Sequence, residues 1–250
     1  MNKKLLLGMF AAASMLLATS CSNDELDVVQ SGNEAQVTFS LGLEGGIETR
    51  AISDGRGAKK LVYAVYNAEG ELIKTIANAD TNGQFVDTEA FDGGLTETVS
   101  VSLAKGQQYT VAFWAQNPQC TAYTTTDLEN VKVDYAGLNN DETRDAFFKA
   151  ETFTVTGSTE IDVVLKRPFA QINVGVYQSD WDAAVASGIE IEKSKVTIEK
   201  AATSINLLTG EVDGEETVEY GFDIIPAKFT ASETLDVDLN NDGTKENYVY

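Results

Sequence analysis

Apolar and polar residues alternate one by one through most of this chain, and that period of two constrains the fold more than any other feature. "AQVTFSLGL" (35–43) is the cleanest case: Val37, Phe39, Leu41 and Leu43 share one face, while Thr38, Ser40 and Gly42 share the other. Successive side chains on a strand point to opposite faces, so the stretch predicts one buried and one solvated face, as in an antiparallel sheet. "KLVYAVYN" (60–67) is apolar on both faces and predicts a central strand, with "EGE" (69–71) turning it into a further strand over "LIKTIA" (72–77). "ETVSVSLA" (97–104), "QYTVAFWAQ" (108–116), "ETFTV" (151–155) and "TEIDVVLK" (159–166) continue the alternation. Clusters of Gly, Asn and Asp, among them "DGG" (92–94), "AKGQ" (104–107) and "LNND" (138–141), punctuate these runs as turns.

A second set of strands follows Pro168: "FAQINVGVY" (169–177), "SKVTIEKA" (194–201), "TVEYGFDII" (217–225), "ETLDVDL" (233–239) and "ENYVY" (246–250). Between the first two, "SDWDAAVASG" (179–188) predicts a short helix capped by Ser179 and stopped by Gly188. The chain therefore reads as all-β, with two abutting domains divided near Arg167 and Pro168, because short strands at regular spacing suggest sandwiches or barrels. Its last strand runs to Tyr250 without a closing turn. That predicts an unpaired edge: either the second domain is truncated at the C-terminus or the edge awaits a partner strand.

The first twenty residues read as an export signal. Lys3 and Lys4 precede an uncharged apolar run from Leu5 to Leu17, shorter than the roughly 20 residues a membrane span needs. "LLATSC" sets Cys21 directly after Ala18, Thr19 and Ser20 and resembles the lipobox of bacterial lipoproteins, with Ala18 where leucine is usual. Residues 1–20 would then be removed and Cys21 acylated. "SNDE" (22–25) resembles the acidic signal that sends such proteins to the outer face of the outer membrane. Acyl chains contribute about 0.8 kcal/mol per buried methylene, so the protein would be tethered to a membrane rather than embedded in it.

With 18 basic and 39 acidic residues the chain carries a formal charge of −21, which repels nucleic acid and anionic headgroups. It has no histidine, which removes His-based triads, His acid/base chemistry and His metal sites. Cys120, the cysteine left after lipidation of Cys21, reads as a free buried thiol. Carboxylate pairs such as Asp180 and Asp182 show no convergence on a pocket, so no catalytic residue is assigned and the chain reads as a non-enzyme without cofactor. In "DLNNDGTKE" (238–246), Asp238, Asn240, Asp242 and Gly243 take the early positions of a calcium loop. Val249 stands where the bidentate glutamate belongs, and the stretch is read as a hairpin turn, without metal. Trp114, inside "VAFWAQ", reads as core; Trp181 is the better surface candidate for stacking on a sugar ring.

"LKRPFAQINVGV" (165–176) places Lys166 and Arg167 before a fixed proline, and Arg167 is expected to pair with a carboxylate at the domain junction. Together with "YTVAFWAQ", "RDAFFKAETFTV" (144–155), the lipobox and "ETRA", this string resembles the fimbrillin-like lipoproteins, subunits of the type V pili of anaerobic gut and oral Gram-negative bacteria. The resemblance implies two transthyretin-like β-sandwich domains, here 51–167 and 168–250, preceded by an acylated pro-segment, 21–50. It implies cleavage by an extracellular arginine-specific protease between Arg50 and Ala51, in "GGIETRAISDG" (45–55), with Arg56 as the rival site. The strand Val37 to Leu43, with Phe39 and Leu41, would be lost, and a strand from a neighbouring subunit would fill the groove. Family members continue beyond a "NYVY"-like strand into the C-terminal strand that serves as donor. The implied role is a surface-exposed fimbrial subunit at the outer membrane that contributes to cell adhesion, with neighbouring subunits and a host or bacterial surface ligand as partners. The alternative is a non-polymerising lipoprotein that binds glycan or another ligand.

Overall fold

The computed structural model describes residues 33–44, 55–92, 94–136, 142–170, 176–189, 194–222, 235–237 and 246–249. Its first strands are β1 (Glu34–Leu43), β2 (Lys60–Tyr66), β3 (Gln84–Asp87), β4 (Thr96–Ala104), β5 (Gln108–Gln116), β6 (Tyr123–Thr124), β7 (Val131–Val133), β8 (Ala146–Thr154) and β9 (Thr159–Leu165). There follow β10 (Val176–Tyr177), α1 (Gln178–Ala186), β11 (Ser194–Ala201), β12 (Ser204–Ile205), β13 (Val212–Asp213), β14 (Glu216–Phe222), β15 (Leu235–Val237) and β16 (Glu246–Val249). The protein is an all-β sandwich, as the alternation predicts.

Two sheets build the main body. One has the order β4-β1-β9 and the other β3-β2-β5-β8. The inward residues of β1 (Ala35, Val37, Phe39, Leu41 and Leu43) interleave with Leu61, Tyr63 and Val65 of β2 and with Val111 and Phe113 of β5 in one core. Gly106, at a positive φ of 81°, lets the chain turn from β4 in one sheet to β5 in the other.

β2 is buried on both faces, and the reason is a third layer. Val62, Ala64 and Tyr66 join Ala112 and Trp114 in a second core, closed by Leu128, Val131, Ile205 and Leu207. These closing residues belong to the small sheet β13-β12-β7-β6 and the loops beside it. In that sheet Ser204 lies opposite Lys132 and Ile205 opposite Val131, so residues on both sides of Arg167 build it.

Three local expectations are corrected. Residues 72–77 form no strand: Leu72 makes an isolated bridge to Tyr66, and Ile73 and Ile76 pack on the core from a loop. Asn67 Oδ1 there accepts from the Glu69 and Glu71 amides, and Asp80 Oδ1 from those of Asn82 and Gln84, which turns the chain early and late in the loop. Ser179 lies inside α1 rather than capping it, since the helix starts at Gln178; its stop at Gly188, φ 75°, is as expected. The last strand is no edge: β16 runs between β10 and β15, with Val176 opposite Val249 and Val237 opposite Glu246.

Candidate functional site

β1 is the strand whose loss the resemblance implies, and its setting is unusual. It is the middle strand of its sheet, antiparallel to β4 from Glu34↔Ala104 to Gly42↔Thr96. On its other side it runs parallel to β9, from Val37↔Thr159 to Leu43↔Leu165, which corrects the purely antiparallel expectation. A parallel pair needs a long crossover, and here the chain from β2 to β8 supplies it. Among the described residues β1 therefore pairs not with its sequence neighbour β2 but with strands far along the chain.

Val37 and Phe39 are fully buried and Leu41 and Leu43 nearly so. At about 1.5–3 kcal/mol for each buried Val, Leu or Phe, these side chains contribute a large share of the stability of a domain. Phe39 sits at the centre, edge-on to Phe113 and to Phe153. The opposite face is polar: Thr38 Oγ1 and Ser100 Oγ are 3.0 Å apart, and Ser40 Oγ donates to Glu160 Oε1 at 2.6 Å. At the end of the strand the Leu43 amide donates to Leu95 O and the Glu44 amide to Leu165 O.

From Gly55 the chain is closely packed. Gly55 is buried at a positive φ of 80°, where a Cβ would come within 3.0 Å of Phe147 Cζ. The Ala58 amide donates to Gly55 O, so exposed Arg56 stands in a hydrogen-bonded turn whose ends are buried. Arg50 and Ala51 lie in 45–54 and Cys21 in 1–32, outside the described residues.

The junction after β9 holds the ion pair expected of Arg167. Its Nε donates to Asp145 Oδ1 at 2.7 Å and its Nη2 to Oδ2 at 2.8 Å, and its guanidinium lies 4.6 Å from the centre of the Phe147 ring. The Asp145 hydrogen bonds hold the Arg167 pKa above its ordinary value, with the charge of Glu44 adding to the effect. Nearby, Phe148 and Lys166 exchange backbone hydrogen bonds, which ties the end of β9 to β8 in the other sheet. The parallel β1–β9 pairing, and with it Glu160, escaped the sequence reading. Alternation marks β9 as a strand but does not say which strand it meets.

Trp114 is fully buried and unavailable for stacking on a ligand; its Nε1 donates to Gln116 Oε1 at 2.8 Å. The side chain of Trp181 and residues Asp238, Asn240, Asp242 and Gly243 lie outside the described set, whereas Cys120 is buried as expected. Among the described residues no group of three or more His, Cys, Asp or Glu could hold a metal, and no helix is long and apolar enough to cross a membrane.

No curated protein matches the chain. Among solved structures, a candidate adhesin from Bacteroides thetaiotaomicron VPI-5482 has a comparable fold, with a TM-score of 0.50 at 14% identity over 87% of this chain and 69% of its own. A candidate polysaccharide-binding protein (DUF1812) from the same organism aligns with a TM-score of 0.48 at 10% identity, over 86% of this chain and 70% of its own. For a candidate adhesin from Bacteroides ovatus the TM-score is 0.48 at 13% identity, over 75% of this chain, which spans 61% of that protein. A family model described as a family of unknown function, DUF6562, matches residues 29–248, and the chain belongs to that family.

Proposed function

We propose that this chain is a surface lipoprotein and a structural subunit of a fimbria, assembled by protease-triggered strand exchange and contributing to cell adhesion. One observation carries the reading: β1, which precedes the candidate Arg50–Ala51 cut, is the middle strand of its sheet, with β4 on one side and β9 on the other. Cleavage would leave β1 held by non-covalent contacts alone. A strand from a neighbouring subunit can then re-form the same ladders and refill the positions of Val37, Phe39, Leu41 and Leu43. Such an exchange swaps like contacts for like; the cut permits it because β1 loses the high effective concentration that the covalent connection gave it. Cys21 would hold the uncut chain at the outer membrane, and the cut would release the body from that anchor. The comparable fold of the Bacteroides thetaiotaomicron candidate adhesin supports a surface role.

Arg50→Ala tests the reading in cells. The variant is expected to stay at the membrane as uncut monomer while Arg56→Ala assembles normally; assembly of Arg50→Ala at the wild-type level would contradict it.

A further inference from the structure

We propose that Glu160 and Asp162, the outward carboxylates of β9, decide which strands can occupy the β1 position, by rejecting strands that carry acid at the outward positions opposite them. The proposal rests on the strand-exchange reading and names the chemistry of the incoming strand. In the parallel register Thr38 lies opposite Glu160 and Ser40 opposite Asp162, and Ser40 Oγ donates to Glu160 Oε1 at 2.6 Å. An outward residue at position 40 thus faces two carboxylates on one side. On the other side the partners are hydroxyls: Ser40 lies opposite Thr98, and Thr38 opposite Ser100. The outward residues of β1 within the β9 ladder, Thr38, Ser40 and Gly42, carry no charge, and the one outward acid of the strand, Glu34, lies before that ladder begins at Val37.

This matters in a chain with a net charge of −21, where acid on the solvent side of a strand is common. β9 exposes Glu160 and Asp162, β11 exposes Glu199 and β14 exposes Glu219. Like charges facing each other across a strand pair are destabilising. The same strands from another copy would therefore be disfavoured in the β1 position, and the acid pair guards it against indiscriminate insertion. The strand that fits has alternating apolar residues with an aromatic at the Phe39 position and hydroxyl, amide or basic residues outward.

The full chain, cut with an arginine-specific protease, is titrated with three fluorescent synthetic peptides. They are residues 34–43, the same peptide with Ser40→Asp, and the same peptide with Ser40→Lys. The expected result is that the Ser40→Asp peptide enters about two- to fivefold more weakly than the native peptide, while the Ser40→Lys peptide enters at least as well. That penalty is expected to disappear in a Glu160→Gln/Asp162→Asn protein and to shrink at high salt. Equal entry of the native and Ser40→Asp peptides, or an unchanged penalty in the double variant, would overturn the proposal. If no peptide enters the cut wild-type protein, strand exchange itself fails and the proposal with it.

Discussion

Phe39 meets Phe113 edge-on, with ring centroids 5.2 Å apart and planes at 66°. A strand assigned for removal thus supplies the aromatic centre of the core it leaves. Phe39→Ala is expected to lower the stability of the uncut chain by about 3–5 kcal/mol, as measured by chemical denaturation. A loss under 1 kcal/mol, on the order of a surface substitution, would show that β1 does not seal this core.

Arg167 pairs in a fork with Asp145 and covers the Phe147 ring, and both partners of the ion pair are partly shielded from water. Arg167→Ala is expected to cost about 1.5–3 kcal/mol, the range for hydrogen bonds to charged groups. Arg167→Lys should recover only part of this, because an ammonium cannot reproduce the fork. Equal stabilities for the Lys variant and the wild type would remove the fork from the account.

Gln116 joins two buried groups: its Oε1 accepts from Trp114 Nε1, and its Nε2 donates to Cys120 O at 3.1 Å. Gln116→Leu strands both partners and is expected to destabilise by about 1–3 kcal/mol for each group left unpaired. Trp114 fluorescence should shift as its environment changes; an unaltered spectrum and stability would contradict the pairing.

Burial, with a smaller contribution from Asp87, pushes the Tyr63 hydroxyl up from 10.0 to about 12, and burial also raises Tyr66 and Tyr123. The folded state therefore keeps these protons after the unfolded chain has lost them. Their stabilisation is fully present below pH 10 and is lost as pH rises from 10 towards 12. Stability measured against pH should fall through that window, and Tyr63→Phe should flatten the fall. A flat profile up to pH 12 would contradict the burial of these tyrosines.

Much of this architecture is legible in the residues themselves. The strict alternation of Val37, Phe39, Leu41 and Leu43 announces β1, and the two-sided apolar run of Leu61 to Tyr66 announces a strand buried on both faces. The pairing of Arg167 could be anticipated because so few bases stand among so many acids. What stayed hidden is long-range. Strands as short as β12 and β13 carry too few residues to show a period; β12 gains its place through Ile205, which joins Val62 and Trp114 in the second core, and β13 by pairing with β12. Ile73 and Ile76 look like strand residues because a loop that covers a core needs apolar side chains too. The parallel partner of β1 lies more than a hundred residues away, and local alternation does not encode it.

The central claim is that β1 is a replaceable strand released by a cut after Arg50. Mass-spectrometric determination of the N-terminus of this protein in the assembled, surface-sheared fraction tests it most directly. The account predicts a chain that begins at Ala51 and lacks residues 21–50. An assembled chain that still begins at acylated Cys21, with β1 covalently attached, would contradict it.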